Sequence, residues 1–247
     1  MVERMSGSTS VIDGRFQLGE RLHGAEGLGV WEGTEPGEGD RPVLVSIGPH
    51  AGDVFDELQL DVPGVPTLLA VGDASDGRTA VVEEHPPGSI AAPAPEEAAP
   101  LAAEVAEIAA FVHHMGLALG GIRPESVWRG DEVSISPRLT RLWELSRQSL
   151  DAPGGPSVYI SLGRLRGTGP TPPDDVFALG ATIAWWATGQ HAFEGETRGE
   201  QIRAIHDRRR RPWTGDPGLE PVVAAALRPR ADRPSMEQLE AMLNELD

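Results

Sequence analysis

The chain contains no lysine and no cysteine, and its one asparagine, Asn244, stands near the C-terminus. All 21 basic side chains in its 247 residues are therefore arginine. Without cysteine there is no disulfide framework, no thiolate nucleophile and no cysteine-ligated zinc. Without lysine, no mechanism that needs a catalytic amine is open. A GC-rich coding bias would deplete lysine and asparagine together, but it would not remove a lysine that chemistry requires. Positive charge is also scarce, since 38 acidic residues give a net charge of −17. That balance is the opposite of a nucleic-acid binder's, so no nucleic-acid partner is expected. One basic run, Arg208–Arg211, breaks the pattern and reads as a solvated loop face. Long apolar runs are missing as well. The longest, Val176 to Thr188, falls short of the roughly 20 residues needed to cross a bilayer, and no signal peptide is present. The chain is expected to be soluble and cytoplasmic, with no direct membrane insertion.

What is present falls into zones. Residues 1–11, with Ser6-Gly7-Ser8-Thr9-Ser10, read as a flexible tail. Short strand signals follow: Phe16, Leu18 and Leu22 alternate, Leu28-Gly29-Val30-Trp31 follows a glycine turn, and Val43-Leu44-Val45-Ser46-Ile47 is β-rich. Leu68-Leu69-Ala70-Val71 and Ala80-Val81-Val82 flank Asp76-Gly77, a hairpin signal. This predicts about five antiparallel strands over 12–85. Residues 86–97 open a stretch rich in proline and alanine that reads as a hinge or linker, and 98–247 are helical. There Leu101, Val105, Ile108 and Val112 share one face, as do Val176, Leu179, Ile183 and Trp186. The last helix opens at Ser235 with Gln238 as a capping box, and its apolar face is Met236, Leu239, Leu243 and Leu246. The Trp185-Trp186 pair reads as core.

Several segments in this frame resemble bacterial Hanks-type Ser/Thr protein kinases. Asp175-Val176-Phe177-Ala178-Leu179-Gly180, with Thr188-Gly189 and Ala192-Phe193, is similar to the family's D-V-x-x-L-G…T-G-x-x-x-F helix. Arg233-Pro234-Ser235 resembles the R-P-S before its last helix. Asp13-Gly14-Arg15-Phe16 with Gly24, Gly27 and Gly29 resembles the start of the domain and its glycine-rich hairpin, although such glycines also serve turn geometry alone. Val82-Glu83 and Gly88 suit the hinge. The resemblance covers about residues 12–246. It implies an α+β, protein kinase-like bilobal fold, with a small antiparallel β lobe and a larger helical lobe. The short interval from Ser46 to Pro63 implies a reduced αC helix, with Glu57 as its remnant, and little or no αD. Asp175 is expected to cap the neighbouring loop from a buried position. His113 is expected to pack structurally, because neither it nor His114 has a second metal ligand suitably spaced.

The same alignment removes the family's chemistry, which needs particular charged groups at particular places. Ser46 stands where the phosphate-holding lysine of V-A-I-K should be. In the catalytic loop, registered by Gly116 and Pro124, Gly121 replaces the base, Arg123 the lysine and Ser126 the metal-binding asparagine. Pro137 replaces the aspartate of D-F-G. Tyr159-Ile160-Ser161-Leu162-Gly163 replaces Y-M-A-P-E, so Arg233 lacks its usual buried glutamate. Arg21 or Arg41 could touch phosphate, and Asp131 or Glu132 could meet a metal, but a solvated hairpin tip suits the last two better.

The resemblance thus implies a degenerate kinase, a pseudokinase. It would act as a protein-binding scaffold or regulator in kinase signalling, without phosphotransfer and with no cofactor or metal. The alternative is a degenerate Ser/Thr kinase with residual nucleotide binding or a non-standard transferase activity. Implied partners are an active Ser/Thr kinase and a phosphothreonine-reading, forkhead-associated domain. Candidate phosphosites are Thr9 in the tail and Thr168 and Thr171 in the activation-segment region.

Overall fold

The computed structural model describes residues 10–25, 28–37, 39–53, 55–138, 140–141 and 157–246. They fall into two compact units, residues 10–87 with 136–141 and residues 88–135 with 157–246. No helix among the described residues is long and apolar enough to cross a membrane.

In the first unit, the alternating segments form β1 (Ser10–Val11), β2 (Phe16–Ala25), β3 (Leu28–Glu35), β4 (Arg41–Gly48), β5 (Leu68–Asp73) and β6 (Thr79–Glu84). They make one six-stranded antiparallel sheet in the order β1-β2-β3-β4-β6-β5. The tail expected over 1–11 is too long at its end. Val11 is buried against Phe16 in the core, and this burial carries Ser10 and Val11 into pairing with β2. The Asp76-Gly77 hairpin joins β5 and β6 as expected, with Gly77 at φ +80°.

Period-two alternation sorts the sheet into two faces. Val43, Val45, Ile47, Ala80 and Val82 join Phe16 and Ala70 in one apolar cluster. The opposite face holds the cross-strand pairs Ser46–Val81 and Leu44–Glu83. There Leu58, Leu68 and Val81 pack together. Leu58 belongs to α1 (Phe55–Leu58), a four-residue helix that is the only one described between β4 and β5. The short Ser46–Pro63 interval leaves room for little more. Glu57 lies within it.

One ion pair is sealed into this unit. Arg138 Nη1 donates to Glu83 Oε2 at 2.5 Å, with the two side chains 0% and 1% exposed. The Ser136 hydroxyl donates to Glu83 Oε1, and Arg138 Nη2 donates to the Leu60 carbonyl at 3.5 Å. This pair takes Ser136–Arg141 out of the helical lobe, where the sequence reading puts them, and into the sheet unit.

The second unit begins at Gly88, whose φ is +85° and whose Cα lies against the backbone of Arg129 and Gly130, so that a side chain would collide. β7 (Ser89–Ile90) then pairs with β8 (Val127–Arg129), and β8 with β9 (Val133–Ile135). The stretch 86–97 is therefore structured rather than a bare linker. Ala91 N–H donates to the Val127 carbonyl, and Pro95–Glu97 forms a 3-10 turn. The helices are α2 (Ala98–His114), α3 (Leu162–Leu165), α4 (Pro172–Thr188), α5 (Arg198–Asp207), α6 (Leu219–Ala226) and α7 (Met236–Asn244). The expected faces are buried: Leu101, Val105 and Val112 on α2, and Val176, Leu179, Ile183 and Trp186 on α4. Trp185 instead stays partly exposed and stacks on His191, with ring centroids 4.7 Å apart. Ser235 and Gln238 exchange both capping-box hydrogen bonds at the start of α7.

Removing one member of a buried pair strands the other charge. Glu83→Gln should therefore destabilise the protein by about 3–5 kcal/mol, read as a lower denaturant midpoint. The double change Glu83→Leu with Arg138→Met should recover most of that loss, and a double variant as unstable as the sum of both singles would overturn this. Burial already raises the Glu83 carboxyl above the usual carboxylate range, against the pull of Arg138 and Ser136. In Arg138→Met that pull is lost and the folded-state value rises further. The folded chain then binds a proton that the unfolded chain releases, so stability falls as pH rises from the unfolded to the folded value. Denaturation of Arg138→Met between about pH 5 and 8 should show a steeper decline than the parent chain.

Candidate functional site

The candidate site residues divide between the two units. In the sheet unit, β4 places Ser46 on the same face as Glu83 and buries it to 1% exposure. Its Oγ has no hydrogen-bond partner among the described residues. A neutral hydroxyl without a partner is tolerable in such a place; a lone ammonium would not be. The glycine hairpin forms, with Gly24 opposite Gly29, while Gly27 lies outside the described residues. Gly29 answers to packing rather than to turn geometry. A side chain there would strike the Trp31 ring and Arg21, whose guanidinium lies 5.3 Å from the centre of that ring. Arg41, considered as a phosphate contact, pairs instead with Glu84 and, at 3.9 Å, with Glu35. Pro137 is buried between Ser136 and Arg138, both of which serve Glu83.

In the helical unit the loop after α2 starts at Gly116, at φ +76°, and is held from below by Asp175. This carboxylate on α4 is 0% exposed. Its Oδ2 accepts from Leu119 N–H at 2.8 Å and lies 3.0 Å from His113 Nε2, and its Oδ1 accepts from Gly120 N–H at 2.7 Å. Both expected structural roles, Asp175 as a cap and His113 as packing, are met. Arg164 Nη1 donates to the Gly120 carbonyl at 2.7 Å and so fixes the next peptide, Gly120–Gly121.

That scaffold presents Gly121, Arg123 and Ser126, all three buried. The Ser126 hydroxyl accepts from Arg123 N–H at 3.0 Å and donates to the Arg123 carbonyl at 2.9 Å. Both bonds close the Pro124–Ser126 turn, so the oxygen is committed to the backbone. Arg123 Nε lies 3.5 Å from Glu125 Oε2, and burial lowers its guanidinium from the ordinary value. Gly121 carries no group that could accept a proton. Asp131 and Glu132 are exposed at the β8–β9 turn, and no group of three metal-ligating side chains occurs among the described residues. His114 Nε2 pairs with Glu237 at 2.6 Å on the surface.

The activation-segment region is tied to α4. Ser161 Oγ donates to Asp174 Oδ1 at 2.5 Å. Thr171, the N-cap of α4, donates its hydroxyl to Asp174 Oδ2 at 2.5 Å and accepts from Arg230 at 3.1 Å. Thr168 is exposed, and Thr9 lies outside the described residues. Arg233 donates to the Pro173 and Arg228 carbonyls at 2.7 and 2.9 Å and lies over Phe177. Burial lowers its guanidinium to about 10. Two backbone carbonyls occupy it, and Asp174 Oδ1 lies 3.8 Å from its Nη1.

Sequence reasoning missed the partner of Glu83. A glutamate closing the apolar run Ala80-Val81-Val82 signals a buried charge that needs a cation. Nothing in the sequence marks Arg138 as that cation.

Neither a protein-family profile nor a curated protein matches this chain. Solved structures do. The structure of Rad53 residues 1–466 in complex with AMP-PNP aligns with a TM-score of 0.68 at 14% identity, over 92% of this chain. This chain spans 64% of that one. The likeness establishes the fold, and the fold is protein-kinase-like.

Proposed function

We propose that this chain is a bilobal pseudokinase: a kinase-like domain that binds other proteins in kinase signalling and transfers no phosphate. One observation carries the reading. At the position aligned with the phosphate lysine stands Ser46, a buried neutral hydroxyl, in a chain with no lysine to supply from elsewhere. The other aligned positions agree with it. Gly121 has no side chain, Ser126 spends its hydroxyl on its own turn, and Pro137 cannot ligate a metal. Each lost electrostatic contact removes several kcal/mol of transition-state stabilisation. Losing four together leaves no route to a useful rate.

Function then rests on surfaces. Of the candidate phosphosites, Thr168 is the better acceptor, because it is exposed while the Thr171 hydroxyl donates to Asp174 and accepts from Arg230. An active Ser/Thr kinase would modify Thr168, and a forkhead-associated reader would bring its own arginines to the phosphate.

Incubation with γ-labelled ATP should give no transfer to the chain itself or to generic protein substrates. The alternative, residual kinase or transferase activity, gains the day if transfer persists through purification controls and disappears in Arg123→Ala. For nucleotide binding, ATP at about 1 mM should move the thermal midpoint by less than about 1 °C, equally with and without magnesium. A magnesium-dependent shift would contradict this.

A further inference from the structure

The helical unit contains a cleft of about 410 Å³ that belongs to none of the positions above. Its apolar lining includes Ala184, Val223 and Leu227, and its charged lining is the run Arg208–Arg211 with the carboxylates Glu194 and Glu220. The sequence alone reads that run as a solvated loop face, but its backbone is fixed. Arg208 ends α5 in the left-handed region at φ +58°. Arg211 N–H then donates to the Ala192 carbonyl at 2.9 Å, and Glu194 N–H donates to the Arg209 carbonyl at 3.2 Å. A β-bridge between Phe193 and Arg210 lies between these two bonds. Phe193 itself is buried and stacked on Phe177, so the bridge is anchored in the core.

Charge is unevenly used along this run. Arg209 is committed to Glu194 at 3.5 Å and Asp207 at 3.7 Å. Arg208, Arg210 and Arg211 have no ion pair or side-chain hydrogen bond with any described residue. Across the cleft His191 stacks on Trp185, and its Nδ1 lies 3.5 Å from the Tyr159 hydroxyl. Trp213 is held by its indole N–H, which donates to the Asp216 carbonyl at 2.8 Å. In a protein of net charge −17, the cleft keeps an excess of positive charge, because Glu194 is drawn to Arg209 and Glu220 is the one other carboxylate lining it among the described residues.

We propose that this cleft binds a phosphorylated side chain on a peptide segment of a partner protein. Guanidinium forks match phosphate oxygens pairwise, and a phosphate brings about −1.5 to −2 charge where a carboxylate brings one. The apolar lining accommodates the residues flanking the phosphate. A long polyanion such as nucleic acid would lie along the rest of an acidic surface and be repelled by it, whereas a short segment meets only the cleft. The proposal deepens the protein-binding reading and supplies it with a site. The labelled-ATP experiment tests catalysis, so that reading and this one fail separately.

The test uses the purified full chain and immobilised degenerate peptide pools of equal length, with phosphothreonine, phosphoserine, threonine or glutamate fixed at the centre. Retention on a phosphorylated pool should exceed that on the threonine and glutamate pools by about tenfold or more, and should weaken with salt. Arg210→Gln with Arg211→Gln should lower it to the threonine level, and Arg129→Ala, away from the cleft, should leave it unchanged. In the parent chain, which needs no variant to fold, the phosphorylated pool should protect Arg208, Arg210 and Arg211 from phenylglyoxal. Equal retention on all pools, or no protection, would overturn the proposal. So would displacement by single-stranded DNA, or by inorganic phosphate, at the same concentration as the phosphopeptide.

Discussion

Glu83 and Arg138 are opposite charges held at 1% and 0% exposure, so each must be satisfied by the other and by fixed dipoles. Desolvation of this kind costs several kcal/mol per ion and is recovered only when the geometry is good. The geometry here recruits Ser136 and the Leu60 carbonyl as well. The pair therefore ties β6 to the segment after β9 and to the chain between α1 and β5. It also sets the character of one sheet face. That face carries Ser46, Leu44 and a carboxylate whose charge is met from within by Arg138.

The helical unit answers the same problem with a different partner. Asp175 is as deeply buried as Glu83, yet no arginine pairs with it among the described residues. Two backbone N–H groups and His113 carry its charge. A carboxylate bonded in this way holds a loop in one conformation. The loop it holds is the one that presents Gly121, Arg123 and Ser126. The support fixes the backbone of that loop, and the Ser126 hydroxyl is spent within it on the Arg123 backbone.

Much of this was legible in the sequence because it depends on neighbours along the chain. Alternation located the strands, the Asp76-Gly77 turn joined two of them, and Ser235 with Gln238 marked the last helix. The short Ser46–Pro63 interval left room for only a single helical turn. What escaped notice depends on distant partners. Ser10 and Val11 join the sheet because Val11 finds a place beside Phe16, and Gly88 opens a strand because Arg129 lies against it. Arg138 looked like an ordinary residue after a proline, since the glutamate that needs it lies 55 residues earlier. The run Arg208–Arg211 read as solvated surface because the bridge to Phe193, which turns it into a wall, is a tertiary contact.

Having arginine as its only strong base shapes all these choices. A buried lysine can lower its pKa and become neutral, but a guanidinium keeps its charge and so needs acceptors wherever it is buried. The chain meets that need case by case. Arg138 takes a carboxylate and a carbonyl, Arg164 takes the Gly120 carbonyl, and Arg233 takes two carbonyls and the face of Phe177. Arginine in these positions works as a cross-link between segments, because one planar group reaches several acceptors at once. The arginines available to the proposed phosphate site are those whose forks remain uncommitted while their backbone is fixed. Arg208, Arg210 and Arg211 meet both conditions, since the bridge to Phe193 fixes their backbone and Glu194 and Asp207 are drawn to Arg209 instead.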